Sequence, residues 1–450
     1  MKEKIFGIDL GTTNSLIYYN DKCYGGMIPS VVNAINKRAG KEFKHTYEEY
    51  VFRSFKKDMS LGKEGAVSVR ASSLVLKELV KQVDDYDVKK VVISVPAQFS
   101  DNARQATIKA AEDIGLEVMS IINEPTAAAL KYCKSKMILS LVFDLGGGTF
   151  DVSVIDSRYG KYDVIDSRGL ILGGDDLDKG LLKLLVNKRI VYLHKMHSHD
   201  KEKLKDMCEE AKVWIQNKKE DYVFNLSEFA HCTSQLEYKL TVEEYIDVMK
   251  TVFKKTAILT KRIVNDSIAD ANYNFIFVGG STRCPYLREW IESEIKHEAV
   301  PIDYNQDTLV AEGVAYYAKL MEDGLTESMI SNIIPMPVSI ELKDGTSKVL
   351  IPKGTKLPCE ESKLLTSTER CSGLNIKVYQ GESIIASNNY FIGNLKYEFD
   401  EVKEPCEANV FITISVDNDG IITVKGKEPG RKVQTITLDR EVMTKSDEHK

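Results

Sequence analysis

Two short stretches of this chain place an aspartate at the end of an apolar run, just before a cluster of glycine and threonine. The first is Ile5-Phe6-Gly7-Ile8-Asp9-Leu10-Gly11-Thr12-Thr13-Asn14. The second is Leu141-Val142-Phe143-Asp144-Leu145-Gly146-Gly147-Gly148-Thr149-Phe150-Asp151. Each reads as strand, Asp-Leu-Gly, small residues, strand. Glycine lets backbone N–H groups approach phosphate oxygens with no Cβ in the way, and threonine hydroxyls add donors. An aspartate at each strand end can hold Mg²⁺ through its waters, because that ion dehydrates reluctantly. A single glycine-rich hairpin is usually only a turn. A matched pair, each carrying an aspartate, predicts a clamp on a polyphosphate.

A third element follows the same logic. Asn274-Phe275-Ile276-Phe277-Val278-Gly279-Gly280-Ser281-Thr282-Arg283 reads as a strand, a double glycine and a helix entered near Pro285. The double glycine admits a flat ligand such as a nucleoside, and Arg283 can stack on a base. No GxxxxGK[ST] sequence occurs, so the phosphates are not held by a P-loop.

The elements that must position these residues alternate in type. Apolar runs predict strands over 5–10, 91–95, 138–143, 152–155 and 275–278. Helical patterns cover 73–83, 101–114, 126–132, 203–216 and 241–264. This alternation argues for α/β architecture. The 101–114 helix has Ser100 as N-cap, Gly115 just past its end, and Ala103, Ala106 and Ala110 as an apolar stripe. From Ile333 onward the pattern becomes short alternating strands: 374–378, then 410–416, the turn Asp417-Asn418-Asp419-Gly420, 421–424 and 433–438. That reads as an all-β sandwich. The Asp417–Gly420 segment lacks the downstream glutamate of a calcium loop and reads as a hairpin turn. His194, His197 and His199 lie in a polar, lysine-rich stretch and read as solvated surface.

Composition bounds the rest. The chain has 450 residues, 43% hydrophobic and 28% charged, with a formal net charge of −6. That length predicts more than one domain, and that charge excludes a polyanion-binding surface, so no nucleic-acid partner is expected. The eight cysteines are scattered with no CxxC pair, which fits a reducing compartment and no metal or redox motif. Asp9 ends the first apolar run too early for a signal peptide, and no run approaches the roughly 20 residues of a membrane span. A cytoplasmic location is expected.

Further motifs carry a family resemblance. Val95-Pro96-Ala97-Gln98-Phe99, followed by Arg104-Gln105-Ala106-Thr107, resembles the VPAxF…RQAT signature of the seventy-kilodalton heat-shock chaperones of the DnaK type. Ile121-Ile122-Asn123-Glu124-Pro125-Thr126-Ala127-Ala128-Ala129-Leu130 is similar to INEPTAAAL in that family. Asp144 to Asp151 is similar to DLGGGTFD, and Leu172-Gly173-Gly174-Asp175-Asp176-Leu177-Asp178 to LGGxDFD. The resemblance implies an α/β actin-like ATPase of two duplicated lobes over 1–326. A linker over 327–334, an all-β sandwich peptide-binding domain over 335–440 and a tail over 441–450 would follow. It implies ATP/ADP and Mg²⁺ as ligands, and ATP hydrolysis serving the binding of unfolded or extended polypeptide.

Roles follow residue by residue from the same resemblance. Lys56, or its neighbour Lys57, stands for the catalytic lysine, and Glu124 for the carboxylate that positions it. Asp144, Thr149 and Asp151 would complete the catalytic group, with Asp9 and Asp144 orienting the metal. Gly11, Thr12, Thr13 and Asn14 resemble the first phosphate loop, and Gly146, Gly147 and Gly148 the second. Glu209, Lys212, Gly279, Gly280, Ser281, Arg283 and Asp307 would meet the nucleoside. Pro96 and Arg104 resemble a relay to the substrate domain. Ile340, Leu342, Lys343, Leu365, Thr368, Leu374 and Ile376 align with the peptide groove, where the plain alternative for Ile376 is sandwich core. Lys343 would favour acidic peptide flanks.

The chain also departs from the family. Val213 stands where an arginine is usual and Gln216 where a serine is usual, which predicts looser nucleotide binding. The linker Glu327-Ser328-Met329-Ile330-Ser331-Asn332 has few apolar residues, and Ser120 replaces an arginine. Both changes argue against a conventional J-domain co-chaperone. The shortened segment between Asn14 and Val95 argues against standard exchange factors. The family's helical lid is not expected, since the sequence stops at Lys450. Two rival readings are an actin-fold small-molecule kinase and an ATP-binding module whose peptide site is uncoupled.

Overall fold

The computed structural model describes residues 4–60, 65–84, 87–133, 138–158, 161–269, 271–325 and 329–430. The expected strand over 433–438 and tail over 441–450 lie outside the described residues.

Two five-stranded sheets of like topology are the framework of the first 325 residues, beside two smaller sheets. In the first, Ile5–Leu10 pairs antiparallel with Asn14–Tyr19 and parallel with Lys90–Val95. Lys22–Pro29 extends one side and Glu117–Asn123 the other. In the second, Leu139–Leu145, Phe150–Asp156 and Tyr162–Leu170 form an antiparallel meander, and Asn274–Val278 lies parallel to Leu139–Leu145. The central strands are apolar on both faces because helices cover both, as buried parallel pairing requires. The α/β expectation and its duplicated lobes hold.

Helices Glu124–Tyr132 and Leu309–Glu322 cross between the lobes on bare backbone. A Cβ on Gly313 would come within 1.8 Å of the Ala127 carbonyl oxygen. The Asp101–Glu112 helix is capped by Ser100, whose hydroxyl accepts from the Ala103 amide. Ser198–Lys218 begins five residues before the expected helix, because its first turn is solvated and carries no apolar periodicity. Among the described residues the three histidines of this stretch form no metal cluster.

The C-terminal part is a sandwich. One sheet contains Ser347–Ile351, Val338–Glu341, Cys371–Gln380 and Tyr390–Lys403, and the other Cys359–Thr366, Asn409–Val416 and Ile422–Lys427. Val338, Ile340, Val378, Leu395, Val410, Ile412 and Ile414 fill its core. Between the modules, Ile330–Ser331 adds to the edge of the second-lobe sheet, parallel to Tyr162 and Asp163.

Candidate functional site

The two glycine-threonine hairpins face each other across a cleft of about 290 Å³. Their approach is close. A Cβ on Gly147 would meet Thr13 Oγ1 at 1.9 Å, and one on Gly148 would meet the Thr12 side chain at 2.7 Å. Only glycine fits there. The first loop is tied down by residues that the sequence reading missed. Gly11 N–H donates to Ser15 Oγ (3.1 Å), and Ser30 Oγ donates to the Gly11 carbonyl (2.8 Å). Asp9, Gly11, Thr12, Thr13, Asn14, Gly146, Gly147 and Thr149 line the cleft. Gly148 backs onto Thr12 and does not line it.

Lys56 and Lys57 separate cleanly. The buried Lys56 ammonium donates to Glu124 Oε1 (2.6 Å) and to the Leu10 carbonyl. Lys57 instead pairs with Asp176 (2.6 Å). Lys56 thus sits at the foot of the cleft, beside both hairpins.

Strand register brings Asp144 directly opposite Asp151. Like charges set opposite each other across a ladder are costly. Burial, then Glu124 and Asp151, raise the Asp144 carboxyl well above the ordinary range. Burial and Glu124 push Asp9 up to about 6, although Ser94 Oγ donates to it at 2.7 Å. Burial and Glu124 push Asp151 up to about 8; backbone amides of Ala97 and Gln98 donate to it, while its buried Oδ1 has no partner. Four carboxyl groups, Asp144 and Asp151 buried and Asp9 and Glu124 half-buried, surround one ammonium and leave an excess of oxygen ligands. That set fits a hard divalent cation. Among the described residues no three such side chains converge tightly enough to ligate an ion directly. Asp9 and Asp144 both line the cleft at this point.

The far end of the cleft is lined by Glu209, Lys212, Val213, Gln216, Gly279, Gly280, Ser281, Arg283 and Asp307. Gly279 has φ +85°, and a Cβ there would meet the Leu145 carbonyl oxygen at 2.5 Å. Ser281 Oγ donates to the Gly146 carbonyl (2.9 Å), joining this turn to the phosphate hairpin. Lys212 is held by Asp178 (2.7 Å) and Arg283 by Asp307 (3.0 Å), so neither is a loose cation. Val213 presents apolar surface, 40% exposed.

A strap from the first lobe crosses the cleft mouth. His45 Nδ1 and Tyr47 OH both reach Asp206 Oδ2, at 3.2 and 2.8 Å, and Lys44 lies 3.6 Å from Glu209. Arg53 shapes the strap by donating to the carbonyls of Phe43, Lys44 and Thr46.

The sandwich docks on the first lobe beside the Lys56–Glu124 end of the cleft. Pro96 opens the loop whose amides reach Asp151. Buried Arg104 donates to the carbonyls of Ala97 and Phe99 in that loop, to Asn123 Oδ1 and to the Asp419 carbonyl. Asp419 Oδ1 accepts from Ser120 Oγ (2.6 Å) and the Ile121 amide (3.2 Å). Asp101 receives the Ile422 amide (2.7 Å) and donates its own to Gln380 Oε1 (2.9 Å). The hairpin turn 417–420 is thus an interface element, a role that its turn chemistry did not signal.

The groove residues divide. Ile340 and Ile376 are buried in the sandwich core, as the plain reading of Ile376 allowed. Leu365 and Leu374 are half-buried against that core, and Leu342 and Thr368 are exposed. Lys343 pairs with Glu369 beside Thr368. Its charge is met within the chain, so a lone cation favouring acidic flanks is not what forms.

The family model described as Hsp70 protein matches residues 56–450. The chaperone protein DnaK of Thermosipho africanus is 30% identical, covering 100% of this chain and 82% of its own length. DnaK of Thermotoga neapolitana is 31% identical over 99% and 82%. The DnaK of Thalassiosira pseudonana is 30% identical over 97% and 82%. These alignments carry the similarity through the first hairpin, ahead of residue 56.

Proposed function

The chain belongs to the Hsp70 family, and from that premise we propose that it is a chaperone that hydrolyses ATP in the inter-lobe cleft and binds extended polypeptide on its sandwich. The observation that carries this reading is the buried Lys56–Glu124 pair set among Asp9, Asp144 and Asp151, at the meeting point of two phosphate hairpins.

Phosphoryl transfer needs positioning and charge neutralisation more than covalent help. Backbone amides of Gly146 and Gly147 and the hydroxyls of Thr12, Thr13 and Thr149 are suited to grip the phosphate chain. Lys56, fixed by Glu124 and the Leu10 carbonyl, would face the transferring phosphoryl group. Mg²⁺, when bound, would supply further charge neutralisation. Asp151 has one oxygen fixed by the 97–98 amides and one without a partner. That second oxygen is buried against Gly169 and off the cleft lining, so Asp151 would act on an attacking water through its charge and through the loop that it anchors. The water oxygen bonds to the γ-phosphorus as the bond to the β–γ bridging oxygen breaks, its proton passes to a phosphate oxygen or to solvent, and ADP and inorganic phosphate leave.

Coupling is supported by one continuous run of contacts. Asp151 is held by the loop that Arg104 braces, and Arg104 also touches the sandwich turn. The Ile330–Ser331 segment on the second-lobe sheet adds a second tie. We therefore favour a coupled chaperone over an uncoupled module, despite the polar linker. A peptide-binding sandwich also argues against a small-molecule kinase. The eight free cysteines fit a reducing, cytoplasmic setting. Docking through Ser120, with no arginine there, keeps a conventional J-domain partner out of this proposal.

The test is steady-state ATP turnover with and without an unfolded peptide bearing a central leucine. We expect stimulation of severalfold. Turnover without stimulation would favour the uncoupled module, and no peptide binding at all would remove the chaperone reading.

A further inference from the structure

The net charge of −6 is an average, and one helix locally reverses it. Val242–Ser267 buries Tyr245, Met249, Phe253, Ala257, Ile263 and Val264 along one face. The opposite face is solvated. It carries Lys250, Lys254, Lys255, Lys261 and Arg262, with no acidic residue between Lys250 and Arg262. Among the described residues Lys250, Lys254, Lys255 and Arg262 have no ion pair, and Lys261 comes only within 3.9 Å of Glu294. In their midst lies Ile258, 50% exposed. Lys254 and Lys255 precede it by one helical turn, and Lys261 and Arg262 follow it by one, so a cation fills every neighbouring position around it on the helix surface. The fold gains nothing from this arrangement. Lys250 and Lys254 repel each other one turn apart, and an isoleucine half in water buries little apolar area.

The end of this helix leads to an opening. Leu259 and Arg262 line a cavity of about 620 Å³ between the second lobe and the sandwich, with Lys353, Asn388 and Tyr390 on the sandwich side. The other cations there are matched. Asp166 and Asp266 each hold Arg168 at 2.8 Å, and Glu382 holds Lys353 at 2.8 Å. Among the described residues lining the cavity, Arg262 is the cation left without a carboxylate. We propose that this helix face is a docking surface for an acidic segment of a partner polypeptide, which sets an apolar side chain on Ile258 and carboxylates on the surrounding cations. An apolar contact inside a ring of opposite charge supplies both a desolvated anchor and a register. A membrane fits less well, because a bilayer cannot follow the surface into the cavity beside Arg262 and a single isoleucine offers little to insert.

The test uses the full chain and a short labelled peptide with leucine set between glutamates, read by fluorescence anisotropy. Binding is expected at low salt and should weaken about tenfold in about 0.3 M salt, since exposed charge pairs are screened. Lys254→Glu with Arg262→Glu should weaken it by about tenfold or more, and Ile258→Ser by roughly threefold to tenfold. Both variants change solvated residues and should keep the wild-type circular dichroism. The same peptide with lysine for glutamate should not bind. An uncharged leucine-centred peptide in excess, the probe for the sandwich, should leave the complex intact. Absence of binding, equal binding in the charge-reversed and Ile258→Ser variants, or displacement by the uncharged peptide overturns the inference. Capture by phosphatidylglycerol vesicles in preference to the peptide, lost in the same variants, would assign the surface to membranes and overturn it as well.

Discussion

At the residue scale the informative contrast is between neighbours. Lys56 and Lys57 are adjacent on one short helix, so their side chains leave it about 100° apart. One enters the cleft and the other binds Asp176. Lys56→Ala should slow single-turnover hydrolysis by about a hundredfold or more, the scale of losing a phosphoryl-stabilising cation. Lys57→Ala should change it less than a few fold. Equal losses would reassign the role. The acidic cluster makes a second prediction. Asp9 and Asp151 titrate at about 6 and about 8, against ~4 for a free carboxylate. Raised acids keep their protons in the folded state, so their contribution to stability is full below pH ~4 and is lost as pH rises through those two values. The protein in chelator should lose thermal stability from pH 5 to 8. Excess Mg²⁺ favours the ionised carboxylates and should flatten that slope. Melting curves across pH, with and without the ion, read this directly; a slope indifferent to Mg²⁺ would argue against ion binding here.

At the element scale the strap and the Ser198–Lys218 helix decide access. Asp206 alone receives both His45 and Tyr47, and Arg53 pre-shapes the segment that presents them. These contacts are partly solvated, so each is worth only about 0.5–1 kcal/mol. Asp206→Ala removes both and should speed release of a fluorescent ADP by roughly three- to tenfold, measured by stopped flow. An unchanged rate would mean that the strap does not limit release. The helix over Ser198–Lys218 also shows where pattern reading falls short. Its last turns have the apolar periodicity of a packed helix, whereas its first turn is solvated and leaves no such trace.

At the scale of the whole molecule, the sandwich and the first lobe share a run of hydrogen bonds, and Ile421 packs against the core of that lobe. Asp419 joins them through its carboxylate, which burial raises above the ordinary range. Asp419→Ala removes two bonds to Ser120 and Ile121 while leaving the catalytic groups in place. Basal ATP turnover should stay within about twofold, while stimulation by peptide should fall severalfold. Loss of both together would point to misfolding, which circular dichroism would reveal. Full stimulation in the variant would mean that coupling runs elsewhere, with the Ile330–Ser331 edge contact as the other route on view.

What the sequence determined by itself was local. Gly146 to Thr149 and Gly11 to Asn14 are legible because close backbone approach demands glycine and small hydroxyl residues at fixed offsets. The switch from α/β to all-β near Ile333 is legible because side-chain period changes with secondary structure. The tertiary structure decided what lies between distant segments. Glu124, 68 residues from Lys56, chooses that lysine over its neighbour. Ser120 meets Asp419 across 299 residues, and no local pattern marks either as an interface residue. Gln216 meets the Tyr245 hydroxyl across 29 residues, a partner that no local pattern announces. Glycine hairpins and strand alternation are set by the backbone's own sterics over a few residues. The partner of a buried polar side chain is set by which packed elements come within about 3 Å of it, and that is a property of the assembled lobes.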